Sequence, residues 1–183
     1  MKGSMVSFYN KKKWVISMYH RIWTILNFFL IVGSMVYIWF FRPHDSSLIV
    51  TSQLLAQIAM ILFLINVNMY FIFLVIRKTS QRKIKILLAK FSRQFMKWHI
   101  KIAVTGTIII LGHVLINLFT IAPLIGFTHI KMLTGYLAFT LLSITLLAGY
   151  LRHKKASGFR KKFHRIMAMV FTVLFLLHMF ILI

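Results

Sequence analysis

Apolar runs near twenty residues long recur along all 183 positions of this chain, and a run of that length is what a helix needs to cross a hydrocarbon core of about 30 Å. Hydrophobic residues make up 60% of the sequence and aromatic residues 15%, so the runs are not islands in a soluble protein. Five spans are expected, at about 23–41, 54–76, 98–121, 132–151 and 163–183. They predict a single all-α integral membrane domain over residues 1–183, a bundle of five transmembrane helices. The first run is long and no obvious small-residue cleavage site follows it, so it reads as a retained helix and not as a signal peptide.

Charge supplies the orientation. Asp45 is the only acidic residue against 23 Lys and Arg. In a soluble chain that balance would point to nucleic acid, but here the basic residues stand between apolar runs, so they read as a topology signal and no nucleic-acid partner is expected. With Lys101 and Arg165 at the inner span ends, 21 of the 23 fall before the first span, between the second and third, and between the fourth and fifth; Arg42 and Lys131 lie on the other side. The positive-inside rule then puts the N-terminus in the cytoplasm, the C-terminus outside the cytoplasmic membrane, and the third and fifth spans both running outward. The absence of cysteine excludes disulfides, thiolate ligands, iron–sulfur clusters and covalently attached haem.

Within these two parallel spans the histidines repeat an interval. His99 and His113 are fourteen residues apart, and so are His164 and His178. Fourteen helical steps return to within about 40° of the starting face and advance about 21 Å, which gives each helix one imidazole near the inner membrane level and another near the outer. Haem iron accepts an axial imidazole on each side of the macrocycle, so the third and fifth spans are expected to hold two stacked b-type haems: His99 and His164 on the inner iron, His113 and His178 on the outer. Gly106 and Phe171 lie midway between the histidines of their helices. The glycine, with Gly112, would admit a macrocycle or simply a packed helix, and Phe171 would fill the gap between haem edges or ordinary core. Arg165 near the inner ligands and Lys131 near the outer ones are candidate partners for haem propionates, along with Arg93, Lys97, Lys101, Arg160 and Arg42. The alternative reading of Lys131 is that it simply marks the start of the fourth span. His20, His44, His129 and His153 read as solvated or headgroup residues.

The stretches HIKIAVTGTIIILGHVLINLF, TGYLAFTLLSITL and FRKKFHRIMAMVFTVLFLLHMF resemble the membrane domain shared by ferric reductases and NADPH oxidases, over about residues 93–183. The resemblance rests on the paired histidines, the His164–Arg165 dipeptide and the intervening helix. It implies that the four histidines ligate two b-type haems, and that electrons pass from a cytosolic flavin through the inner haem to the outer one and on to ferric iron, dioxygen or another acceptor outside. Larger members of that family continue into a flavin and nicotinamide domain after a sixth span. Here the sequence stops at Ile183, so electrons are expected from a separate flavoprotein or the quinol pool, as in small haem-only relatives that serve an extracytoplasmic partner. The membrane subunit of the methionine sulfoxide reductase system is the nearest analogy.

The chain itself has no GxGxxG or P-loop and therefore no evident flavin, nicotinamide or other nucleotide site. The scarcity of acidic residues excludes a carboxylate pair or carboxylate-assisted triad in the membrane, and no catalytic residue is assigned. Residues 77–97 space Ile84, Leu87, Leu88, Phe91 and Phe95 at helical intervals among Lys and Arg, predicting a cytoplasmic amphipathic segment on anionic lipid; its alternative use is to dock an acidic electron donor. The expected function is transmembrane electron transfer by a di-haem cytochrome b, a membrane oxidoreductase or its haem-binding subunit. A quinol-oxidising subunit of a respiratory complex is the alternative within electron transfer. A non-redox transporter or structural subunit is the alternative from another class.

Overall fold

A computed structural model of the chain describes residues 22, 25–42, 44–79, 82–155 and 157–181. Trp23 and the basic residues before it, His20 included, lie outside the described residues, as do the last two residues of the fifth expected span. Among the described residues all regular structure is helical. Helix α1 (Ile25–Phe41) is followed by α2 (Ser47–Lys78), α3 (Arg82–Thr120), the single turn α4 (Ala122–Ile125), α5 (Ile130–Lys154) and α6 (Gly158–Phe180). Four of these, α2, α3, α5 and α6, are long and apolar enough to cross a membrane; the described part of α1 is shorter.

The helices begin where a polar side chain can satisfy the otherwise unpaired N–H groups of a first turn. Ser46 Oγ accepts from Ile49 N at 3.2 Å, His129 Nδ1 accepts from Lys131 N at 3.2 Å, and Ser157 Oγ accepts from Arg160 N at 3.2 Å. Between α3 and α5, Pro123 stands at the start of α4, and Gly126 at φ +92° ends it in a conformation open to glycine and strained for other residues. Hydroxyls inside the spans bond backward to their own helix: Thr51 to Ser47 O at 2.8 Å, Thr120 to Ile116 O at 2.7 Å, Thr145 to Leu141 O at 2.7 Å and Thr172 to Ala168 O at 2.7 Å. These four hydroxyls thus enter an apolar medium already satisfied.

Residues 82–97 form the first part of α3, and no break separates them from Trp98. Nothing in this stretch would interrupt a helix: glycine and proline are absent between Arg82 and Thr105, and Lys, Leu, Ala, Gln and Arg are good helix formers. The segment expected to be amphipathic is therefore continuous with the helix of the third span.

The described residues fall into two compact units, one made of those up to Arg42 with Met60–Gly106, the other of those in 43–59 with Thr107–Ile183. In the first, Ile38 of α1 and Met60, Phe63, Leu64 and Met69 of α2 are buried, and Asn68 Nδ2 donates to Asn27 Oδ1 at 3.1 Å and to Leu64 O at 2.8 Å. In the second, α5 and α6 pack antiparallel along a face that buries Ala138, Leu142, Thr145 and Ala148 of α5 and Phe171 of α6. Each of these helices is closed by a cation from the other. Lys131 Nζ, at the start of α5, donates to His178 O at 2.6 Å and Ile181 O at 2.8 Å at the end of α6. Arg160, at the start of α6, donates through Nη1 to Leu151 O at 3.0 Å and Lys155 O at 3.2 Å at the end of α5. A cation on the carbonyl end of a helix contributes about 0.3–1 kcal/mol when exposed and up to about 2 kcal/mol when partly buried.

Candidate functional site

The face of α5 opposite α6 is built from small and hydroxylated residues, and both imidazoles of α6 rest on it. Thr134 Oγ1 lies 2.9 Å from Ile130 O and 3.0 Å from Lys131 O. It also lies 3.2 Å from His178 Nδ1, within hydrogen-bond distance for a hydroxyl that can donate or accept. The next residue is Gly135, and a Cβ added there would stand 3.0 Å from His178 Cε1. One inner level down, His164 Nδ1–H donates to Thr145 O at 3.1 Å. Four residues on, the chain has Gly149, whose added Cβ would stand 3.2 Å from His164 Cε1. A glycine inside a helix costs about 0.5–1 kcal/mol relative to alanine, so α5 carries that cost twice at the two places where a ring lies against it.

His113 is held by α2 instead. Its Nδ1 donates to Ser52 O at 2.9 Å, with Ser52 Oγ 3.0 Å away. Ser52 Oγ donates to Asn117 Oδ1 at 3.0 Å, and Asn117 Nδ2, one turn along α3 from the histidine, donates to His113 Nε2 at 3.0 Å. Ser52 is 2% exposed and His113 and Asn117 are half-buried, and the members of this network satisfy one another. Gly112 leaves room for Leu55 of α2, whose Cδ1 would be 3.2 Å from an added Cβ.

Two rings share a tautomer: a carbonyl accepts only, so the neutral imidazoles of His113 and His164 carry hydrogen on Nδ1 and the lone pair on Nε2. Imidazoles that bind a metal commonly hold the other ring N–H on a carbonyl or similar acceptor, which fixes tautomer and orientation and raises the basicity of the ligating nitrogen. His113 and His164 have such an acceptor.

The remaining sequence candidates are distributed as follows. His99 is half-buried on α3 in the first unit. Gly106, in the same unit, is buried against α2, where an added Cβ would stand 3.1 Å from Phe63 Cε1 and 3.5 Å from Leu62 Cβ, an ordinary close helix contact. Phe171 is buried, its ring centroid 5.9 Å from that of Phe175. Arg165 is exposed. Lys131 meets His178, but through the backbone carbonyl, as the cap of α6. Of the loop histidines, His129 is the N-cap of α5, and His153 is exposed.

Sequence reasoning picked out the imidazoles and missed what supports them: Thr134, Gly135, Thr145 and Gly149 on α5, and Ser52 and Asn117 around His113. One signal was present. Gly135 and Gly149 are fourteen residues apart, the histidine interval repeated on a third helix. The chain matches no family model, no curated protein and no solved structure.

Proposed function

We propose that this protein is a membrane-embedded di-haem cytochrome b, in which His99, His113, His164 and His178 are the axial ligands of two b-type haems and electrons cross the cytoplasmic membrane outward, as in the ferric reductase and NADPH oxidase membrane domain it resembles. The observation that carries this reading is the carbonyl acceptor at Nδ1 of His113 and His164, coupled to the fourteen-residue interval within each histidine pair. Bound haem would supply one-electron redox chemistry within an apolar medium. The chain's own part would be to present Nε2 from His113 and His164, whose Nδ1–H groups rest on the Ser52 and Thr145 carbonyls, and from His178 beside Thr134. At His113 the flexible Asn117 amide must leave Nε2 for a metal to bind there. A separate flavoprotein or quinol is the proposed donor, and ferric iron, dioxygen or a partner protein outside is the proposed acceptor.

The test is the dithionite-reduced minus oxidised absorption spectrum of detergent-purified protein, with pyridine haemochrome quantitation. About two b-type haems per chain are expected; His113→Ala or His178→Ala should remove one and spare the other. No haem after haem-replete expression overturns the reading. It would favour a non-redox membrane subunit, for which the self-satisfied Ser52–His113–Asn117 network is the specific support: a polar link between α2 and α3 of the kind that joins membrane helices.

A further inference from the structure

We infer that Gly135 and Gly149 are positioning residues, two open seats on α5 that fix the imidazoles of His178 and His164 one for one, and that, on the haem-ligand reading above, each glycine tunes the haem held by its own histidine and leaves the other unchanged.

Glycines at a helix interface commonly serve to bring backbones together. These two do something else. The three heavy atoms nearest to a Cβ built on Gly135 all belong to the His178 ring, Cε1 at 3.0 Å, Nδ1 at 3.5 Å and Nε2 at 3.7 Å. On Gly149 the neighbours are again one ring, His164 Cε1 at 3.2 Å and Nδ1 at 3.4 Å. The space a side chain would take is filled by an imidazole and not by backbone, in contrast to Gly33 and Gly158, which have nothing within 4 Å.

The register makes the match specific. In an antiparallel pair, equal intervals on the two helices keep facing residues in step, so His178 on Gly135 entails His164 on Gly149. Midway between them, seven residues from each end, stand Leu142 on α5 and Phe171 on α6, both buried. The interface is therefore open at two levels and filled with bulk between them. Beside each seat is a hydrogen-bond partner for the same ring: Thr134 Oγ1 precedes Gly135, and the Thr145 carbonyl lies one turn before Gly149. Seat and partner together fix the plane of the ring and the direction of Nε2.

A double-mutant cycle on the full-length chain in detergent, prepared without haem, tests the seats themselves. Gly135→Ala should lower the melting temperature when His178 is present and be neutral or stabilising in the His178→Ala background, because alanine is the better helix former once the ring is gone. Gly149→Ala should behave in the same way with His164, and the crossed combinations should be additive. If Gly135→Ala fails to fold alone, recovery in the double variant is the expected result. Equal effects of alanine with and without the ring, or coupling of each glycine to both histidines, overturn the seats. In haem-loaded protein, Gly135→Ala should shift the low-spin electron paramagnetic resonance signal and midpoint potential of one haem, and Gly149→Ala those of the other. Unchanged signals in both variants overturn the tuning. A wild-type chain that binds no haem fails the cytochrome reading, while the cycle still decides the seats.

Discussion

Ser52 does three jobs from one position: its carbonyl accepts from His113 Nδ1, and its hydroxyl stands beside that nitrogen while donating to Asn117 Oδ1. Ser52→Ala keeps the carbonyl and deletes the hydroxyl, leaving the half-buried Asn117 amide oxygen without that donor. Loss of a partner for a buried polar group costs about 1–3 kcal/mol, so Ser52→Ala should lower the melting temperature of the purified chain. The further change Asn117→Leu should cost less in the Ser52→Ala background than in the wild type; additive effects would show that the network is not one unit. The imidazoles were legible in the sequence because histidine is rare within apolar runs, where it needs a partner or a purpose. Ser52, Asn117, Thr134 and Thr145 were not legible, because hydroxyl and amide residues are common in membrane helices and nothing in one helix tells which of them another helix will meet.

At the level of the helices, hydropathy located the spans but not their ends. The second span, expected from residue 54, is part of a helix that starts at Ser47, because a helix continues past its apolar stretch until a cap is found, here Ser46. The fifth, expected at 163–183, is the helix Gly158–Phe180, begun early by the Ser157 cap. The amphipathic segment has helical periodicity, but periodicity cannot report whether one helix stops before the next begins. Reciprocal capping of α5 and α6 gives a prediction at this scale. Lys131→Met should fray the last turn of α6, and Arg160→Met the last turn of α5, each losing about 0.3–2 kcal/mol locally. Hydrogen exchange should then quicken at the C-terminal amides of the helix that does not carry the substitution; faster exchange in the substituted helix alone would contradict the cross-capping.

For the molecule as a whole, the sequence contains no cysteine, so single introduced cysteines report topology without background. Asp45→Cys and Thr128→Cys, at exposed positions before α2 and between α4 and α5, should react with an impermeant thiol reagent from outside, and Lys155→Cys, beyond α5, only from the cytoplasmic side. Labelling of all three from one side would overturn the expected orientation. The cations described here find carbonyl ends and ring faces: Lys131 and Arg160 cap helices, Arg42 lies 5.1 Å from the Tyr37 ring centroid, Lys101 5.0 Å from that of Trp98, and Lys154 5.0 Å from that of Tyr150. A fold held in this way has no acid latch. Most acid denaturation comes from carboxylates that lose their partners, and the one acidic side chain of this sequence is Asp45, which is exposed. Lowering the pH thus has almost no carboxylate to neutralise in this chain, and it leaves the cation-to-carbonyl contacts as they are, because their lysine and arginine donors are already fully protonated.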